Sequence, residues 1–572
     1  MMRKGLAILV SALLAVSSLY HGSNPGQAAS VPPMEAKSGM VASAQHLASA
    51  AGVQVLKDGG NAIDAAVAMG YALAVVHPCC GNIGGGGFMT IHLANGRDTF
   101  INFREKAPLA ATRDMYLDKK GNVVPGLSTL GYLSVGVPGT VLGLDTALRE
   151  YGSMTRAQVM APAIRLAAQG YTLDAGDVAL LDSASSKFVK QRNVAAIFLH
   201  NGKPYQAGER LTQPRLAHTL GLIASDGPAA FYDGPIAAAI AAASKAHGGL
   251  LTTEDFRRYT VEEERPVSCM YRGYMVVSAP PPSSGGTTLC EILNVVSGYP
   301  LGQFGFHSAQ AIHYNVEAMR HAYADRNTYL GDPDFVKNPI ARLTSPSYAA
   351  KIRAEIAPTR ATPSRLVKPG LGPLQEGTST TEYAVVDAKG NAVSVTYTIN
   401  FYFGSGVIAG NTGFFLNDEM DDFTSKPGVP NAYGLVQGVT NAIAPGKRPL
   451  SSMSPTIVLR NGRVFLVTGS PGGSRIITIT QEVIQNVIDY GMDVQQAVDA
   501  PRYHHQYLPD TVYLEPYALS PDTVAILKGE GYTITQQATT WGSAEAIERD
   551  PASGLLYGAN DSRAPAGAAV GY

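Results

Sequence analysis

The chain has 572 residues, 45% of them apolar and 16% charged, with 61 glycines. That apolar share excludes a disordered chain, the glycines lack the Gly-X-Y period of collagen, and the length exceeds what one simple core can use. Lys and Arg number 44 against 45 Asp and Glu, a net charge of −1, so no global field gathers nucleic acid or an acidic membrane.

Residues 1–29 read as a secretory signal. Arg3 and Lys4 form a basic start, Gly5 to Leu19 an apolar core, and Gln27-Ala28-Ala29 a small-residue exit. The apolar run is too short to span a bilayer comfortably, and no later stretch is longer and uncharged. The expected protein is exported, periplasmic or secreted, with no stable membrane span.

Residues 41–76 read as two helices, the first stopping at Gly59-Gly60 and the second capped by Asn61 and ending at His77-Pro78. The glycine run of GNIGGGGFMTIHL (81–93) then leads into a strand. Further helices are expected over 236–247 and roughly 308–327. A polar, proline-bearing stretch near 357–379 reads as an exposed connector. After it come two hairpins: TTEYAVVDAKGNAVSVTYTIN (380–400), turning at Lys389-Gly390-Asn391, and TIVLRNGRVFLVTG (456–469), turning at Asn461-Gly462. A helix begins near 475. Cys79, Cys80, Cys269 and Cys290 show no C-x-x-C spacing, and the 12 histidines are scattered without an H-E-x-x-H, so no metal is expected. Joining Cys79 to Cys80 would make a strained ring, so structural thiols or one ordinary bridge are expected.

Two places carry chemistry. The connector delivers Thr380 to the start of a strand after Ser379. Threonine is common in strands, but Thr380 as a new N-terminus would have its own α-amine as base for its hydroxyl. That amine titrates near neutrality, at about 7.7–8.0 when unperturbed. Such a chain must first cut itself, the hydroxyl attacking the preceding carbonyl. The second place is TGSPGGSR (468–475), between a strand and a helix. Its Gly472 and Gly473 leave amides unobstructed at a helix start, suiting an oxyanion.

Many separate stretches, in order, carry a resemblance: GMVAS (39–43), GGNAIDAAVA (59–68), GNIGGGGFM (81–89), FREKAP (103–108), PPPSSGG (280–286), ADRNTYLGDPDFV (324–336), TTEYAVVD, NDEMDDF (417–423), KPGVPNAYG (426–434), KRPLSSMSPT (447–456) and TGSPGGSRI. With them the sequence closely resembles the γ-glutamyltranspeptidases (glutathione hydrolases), a family of N-terminal-nucleophile hydrolases, from about residue 38 to the last residue. The resemblance implies an α+β, four-layer αββα fold built jointly by two subunits cut from one precursor: a large subunit 30–379 and a small one 380–572, divided between Ser379 and Thr380. It implies Thr380 as nucleophile, Thr398 orienting it, and Gly472 and Gly473 as the oxyanion hole. A donor carboxylate would meet Arg104, Ser451 and Ser452, and its ammonium Asn400, Glu419 and Asp422. Glu419 stands where some bacterial members carry glutamine. Tyr433 takes the aromatic position of a lid loop, which favours a γ-glutamyl enzyme over lid-lacking β-lactam side-chain acylases.

The implied reaction is ping-pong transfer of the γ-glutamyl group of glutathione and related γ-glutamyl compounds to water, amino acids or dipeptides, needing neither metal nor organic cofactor. One alternative keeps the fold and changes the substrate, to a glutaryl, cephalosporin-type or poly-γ-glutamate acylase. Another is a non-catalytic exported binding protein, which would remain one uncut polypeptide.

Overall fold

The computed structural model describes residues 30–367, 380–432 and 434–572; the stretch 1–29 expected to be an export signal, Ser379 and Tyr433 lie outside them. The Thr380 hairpin forms as the alternation predicts. Strand Thr381–Val386 pairs antiparallel with Ala392–Thr398, Thr381 facing Tyr397. The turn is tied by the Asp387 carboxylate, which accepts from the Lys389 and Asn391 amides at 2.9 and 3.0 Å. The second hairpin pairs Thr456–Arg460 with Arg463–Gly469, and Asn461 and Gly462 both take the positive φ that a type I′ turn requires.

Each hairpin is the centre of a seven-stranded antiparallel sheet among the described residues. The first runs Ala568–Gly571, Met40–Ser43, Thr381–Val386, Ala392–Thr398, Gly86–His92, Asp98–Phe103, Glu262–Glu264. The second runs Met34–Ala36, Leu556–Asn560, Glu545–Arg549, Arg463–Gly469, Thr456–Arg460, Tyr274–Ser278, Val267–Tyr271.

Side chains alternate across each strand, and here both faces are buried. In Thr381–Val386, Tyr383 and Val385 join the core under helices His46–Lys57, Ala62–Val76 and Thr140–Tyr151. Ala384 and Val386 face the other way, into a small core shared with Val277, Ile457, Val467 and Ile547 of the second sheet. Helices Gly285–Val296, Ala309–Tyr329 and Ile476–Ile488 cover that sheet's outer face. The result is the four-layer αββα arrangement. Glu382, Ser394, Thr396 and Thr398 form a polar row along the inter-sheet face of the first hairpin.

Three expectations need correction. Residues 41–76 are not two helices throughout: Met40–Ser43 is a strand beside Thr381–Val386, and helix His46–Lys57 starts only after it. All four residues of that strand are buried, so no polar alternation marks it. Part of the presumed connector is anchored: buried Ser364 donates to the Tyr507 carbonyl at 2.7 Å, and its amide donates to Asp510 at 2.7 Å. The cysteines form two disulfides, Cys79–Cys80 and Cys269–Cys290. The vicinal pair lies in a buried turn whose carbonyls accept from the Ile399 and Phe403 amides, both at 2.7 Å, a support that ring strain considered alone leaves out. His77 lies close to this pair.

The capping expectation holds in full. The Asn61 side chain accepts from the Ile63 and Asp64 amides, and the Asp64 carboxylate accepts from the Asn61 amide.

Candidate active site

Thr380 lies 6% exposed at the mouth of the inter-sheet layer. By the hairpin register it stands opposite Thr398, and the two hydroxyl oxygens are 3.5 Å apart, at the limit of a hydrogen bond. Thr398 Oγ1 also accepts from the Asn400 amide at 2.8 Å. Asn400 takes a left-handed φ of 71° as the chain leaves the strand, and its side chain donates to the Asp418 carbonyl at 3.0 Å.

The glycine run explains how the chain fits so tightly here. A Cβ on Gly85 would lie 1.8 Å from the Thr398 carbonyl oxygen, and one on Gly84 would lie 2.0 Å from that of Phe415. These glycines make room for backbone, not for a ligand.

Across from Thr380, strand Arg463–Gly469 ends and the chain turns into helix Ile476–Ile488. Gly472 and Gly473 make the turn with φ of 142° and 57°, values that an L side chain resists. Gly473 faces the cleft. Gly472 borders a separate cavity of about 940 Å³ on the other side of Thr380, lined also by His77, Cys80, Asp177 and Tyr402.

The cleft itself, open to solvent, spans about 320 Å³ and brings together Thr380, Thr398, Asn400, Arg104, Glu419, Asp422, Ser451, Ser452 and Gly473. Arg104 leaves strand Asp98–Phe103 and is fully buried. The segment carrying Glu419 and Asp422 is pinned by Asn417, which accepts from the Gly136 and Glu419 amides and donates to the Gly84 and Gly136 carbonyls. Arg104 Nη1 donates to Glu419 and, at 3.4 Å, to Glu105, while Nη2 donates to Asp422 and Nε to the Pro449 carbonyl.

Three carboxyl groups thus surround one guanidinium. Burial works against the Arg104 charge, but these neighbours outweigh it and hold the group above its ordinary range. Burial also pushes Glu105 up to about 7 and Glu419 well above the carboxylate range, despite Arg104. This wall of the cleft keeps an acceptor in reserve: Glu419 Oε2 has no hydrogen-bond partner among the described residues. Asp421 turns away from it, accepting from Ser128 at 2.6 Å and from the Ala432 amide at 3.1 Å, and so ties down the loop before Tyr433.

The facing wall carries Ser451 and Ser452, held where the Ser284 amide donates to the Ser451 carbonyl at 2.8 Å. One residue here was missed by sequence reasoning: Arg326, from helix Ala309–Tyr329, lines the cleft beside Ser452. Its only signal was its position within ADRNTYLGDPDFV. No described helix is long and apolar enough to cross a membrane.

Comparison with known proteins agrees with this geometry. The model of the family described as Gamma-glutamyltranspeptidase matches residues 48–571. A "Glutathione hydrolase proenzyme" of Pseudomonas sp. (strain A14) is 57% identical over 95% of this chain and 96% of its own length. One of Escherichia coli (strain K12) is 49% identical over 94% and 93%. Among solved structures, a cephalosporin acylase from Bacillus halodurans superposes with a TM-score of 0.83 at 29% identity, covering 97% of this chain and 99% of that one. The chain belongs to the gamma-glutamyltranspeptidase family of enzymes.

Proposed function

We propose that this protein is a γ-glutamyltranspeptidase and glutathione hydrolase, made as an exported precursor that cuts itself between Ser379 and Thr380. The large subunit 30–379 and small subunit 380–572 stay together, because both contribute strands to each sheet. The observation that carries the reading is the polarised cleft beside Thr380. One wall offers the carboxyl oxygens of Glu419 and Asp422; the other offers the hydroxyls of Ser451 and Ser452. An α-amino acid head group, with its ammonium and carboxylate, complements both. The names of the relatives, proenzymes of glutathione hydrolases, support the same reading.

In this mechanism the Thr380 amine, freed by the cut, takes the hydroxyl proton as Oγ1 attacks the γ-carbonyl. Thr398 holds Oγ1 in place, and the amides of Gly472 and Gly473 receive the developing oxyanion. The C–N bond breaks, the amine leaves with the proton, and a γ-glutamyl ester remains on Thr380. Water releases glutamate from it, or the amine of an amino acid or dipeptide forms a new γ-glutamyl product. Arg104, Ser451 and Ser452 receive the donor carboxylate, and Asn400, Glu419 and Asp422 its ammonium.

A denaturing gel beside Thr380→Ala tests this. Wild type should give two bands and release glutamate from glutathione; the variant should give one band and none. A single uncut wild-type band without turnover would overturn the reading in favour of a binding protein. The acylase reading gains from the likeness to a cephalosporin acylase, but a glutaryl chain has no ammonium for Glu419 and Asp422. Faster hydrolysis of a glutaryl than of a γ-glutamyl anilide would decide for it.

A further inference from the structure

Five arginines are among the largest fully buried side chains: Arg104, Arg320, Arg326, Arg448 and Arg502. Four of them hold a carboxylate. Arg104 pairs with Glu419 and Asp422, Arg320 with Glu317 and Asp510, Arg448 with Glu262 and Arg502 with Asp561. Arg326 forms no ion pair with any described residue. It is 1% exposed, and it lines the cleft that Thr380 also lines. Asp422, which lines the same cleft, acts on it only at a distance and does not offset burial; a buried cation with no carboxylate in contact is costly, so its place suits an arriving anion. Burial accordingly pulls its pKa down to about 10.

The hydrogen bonds around it have a direction. Arg326 Nε donates to Ser284 Oγ at 2.8 Å, Nη1 to Asn327 Oδ1 at 2.9 Å and Nη2 to Ser452 Oγ at 2.9 Å. Ser284 in turn spends its one hydrogen on the Ser451 carbonyl at 2.6 Å, which leaves its lone pairs for Arg326. Ser451 Oγ accepts from the Met453 amide at 3.1 Å. Both cleft serines therefore accept from the protein, and neither donates to a described acceptor. Their hydrogens are left for the cleft. Arg104 keeps one N–H for the carboxylate, since the other four, on Pro449, Glu419, Glu105 and Asp422, are engaged.

We propose that Arg326 is the positioning residue of the donor-carboxylate subsite: it fixes Ser452 as a hydrogen-bond donor and supplies the positive potential that an α-carboxylate needs. This rests on the γ-glutamyl reading above. Lysine cannot replace it fully, since a point charge cannot donate to Ser284 and Ser452 in one fixed fork.

The test is steady-state kinetics on γ-glutamyl p-nitroanilide with Arg326→Gln, Ser452→Ala and the double variant, each checked for the two bands of cut protein. Arg326→Gln should raise KM about 10- to 100-fold, the range of a lost charge-assisted bond, with kcat within about threefold. Ser452→Ala should raise KM too, and the double variant should be no worse than the worse single one, because both act on one contact. Arg326→Lys should fall between, at about 3- to 10-fold.

An unchanged KM in Ser452→Ala, or penalties that multiply in the double variant, would overturn the proposal. So would a loss confined to kcat, which marks a merely structural arginine. If Arg326→Gln does not accumulate as cut protein, Arg326→Lys carries the same comparison, and a wild-type KM there also overturns it. A wild type that never releases p-nitroaniline would instead overturn the γ-glutamyl reading itself.

Discussion

Thr398 serves two neighbours with one oxygen, accepting from the Asn400 amide at 2.8 Å and meeting Thr380 Oγ1 at 3.5 Å. Valine keeps its shape and β-branching but offers no acceptor. Thr398→Val strands a buried amide, at about 1–3 kcal/mol, and leaves Thr380 Oγ1 without that neighbour. Turnover of a γ-glutamyl anilide should fall by about 10²-fold or more, while Thr398→Ser should retain most of it; kcat for the two variants checks this. That pairing was legible in the sequence, because an alternating run with a Lys-Gly-Asn turn fixes which residues face each other. Arg326 was not. An arginine near the end of a helix ordinarily reaches solvent, and only the packing of Ser284 and Ser452 around it reveals a buried cation.

Elements carry information of a different reach. The Asn461-Gly462 hairpin and the Asn61 cap were readable because their causes lie within a few residues. Strand Met40–Ser43 was not, since burial on both faces erases the period of two. Nor was the purpose of Gly84, Gly85 and Gly87, whose partners are carbonyls more than 300 residues away in the chain. The close fit makes a sharp prediction. In Gly85→Ala the new methyl meets the Thr398 carbonyl, backbone that cannot swing aside, so the sheet must part at the Thr380 hairpin. Overpacking of this kind costs on the order of 3 kcal/mol, and the variant should show a lowered unfolding midpoint and a smaller cut fraction on a denaturing gel. Gly221→Ala is the control: it lies inside helix Pro214–Asp226 with nothing within 4 Å, and should be neutral or stabilising by up to about 1 kcal/mol.

At the scale of the whole molecule, the two sheets enclose acids as well as apolar side chains. Glu382, two residues from Thr380, accepts from Ser394 at 2.7 Å and from Thr396, packed against Gly469 of the facing sheet. Glu545, on the strand next to Gly469, has no hydrogen-bond partner for either carboxylate oxygen among the described residues. Burial pushes Glu545 well above the carboxylate range and Glu382 up to about 8, the hydroxyl donors notwithstanding. Such a layer is most stable with its acids neutral. Below pH 4.5 both the folded and the unfolded chain keep the Glu382 proton. As pH rises the unfolded chain gives it up first, while the folded chain holds it to about pH 8, so stability falls across that window. The loss is up to about 1.4 kcal/mol per pH unit for this one group. Glu382→Gln is neutral at every pH and keeps the shape. Urea unfolding in the uncut Thr380→Ala background, at pH 5, 6.5 and 8, should give a stability curve flatter than its Glu382 parent by that amount. Parallel curves would mean that Glu382 is ionised between the sheets, and that the polar row behind Thr380 carries a charge.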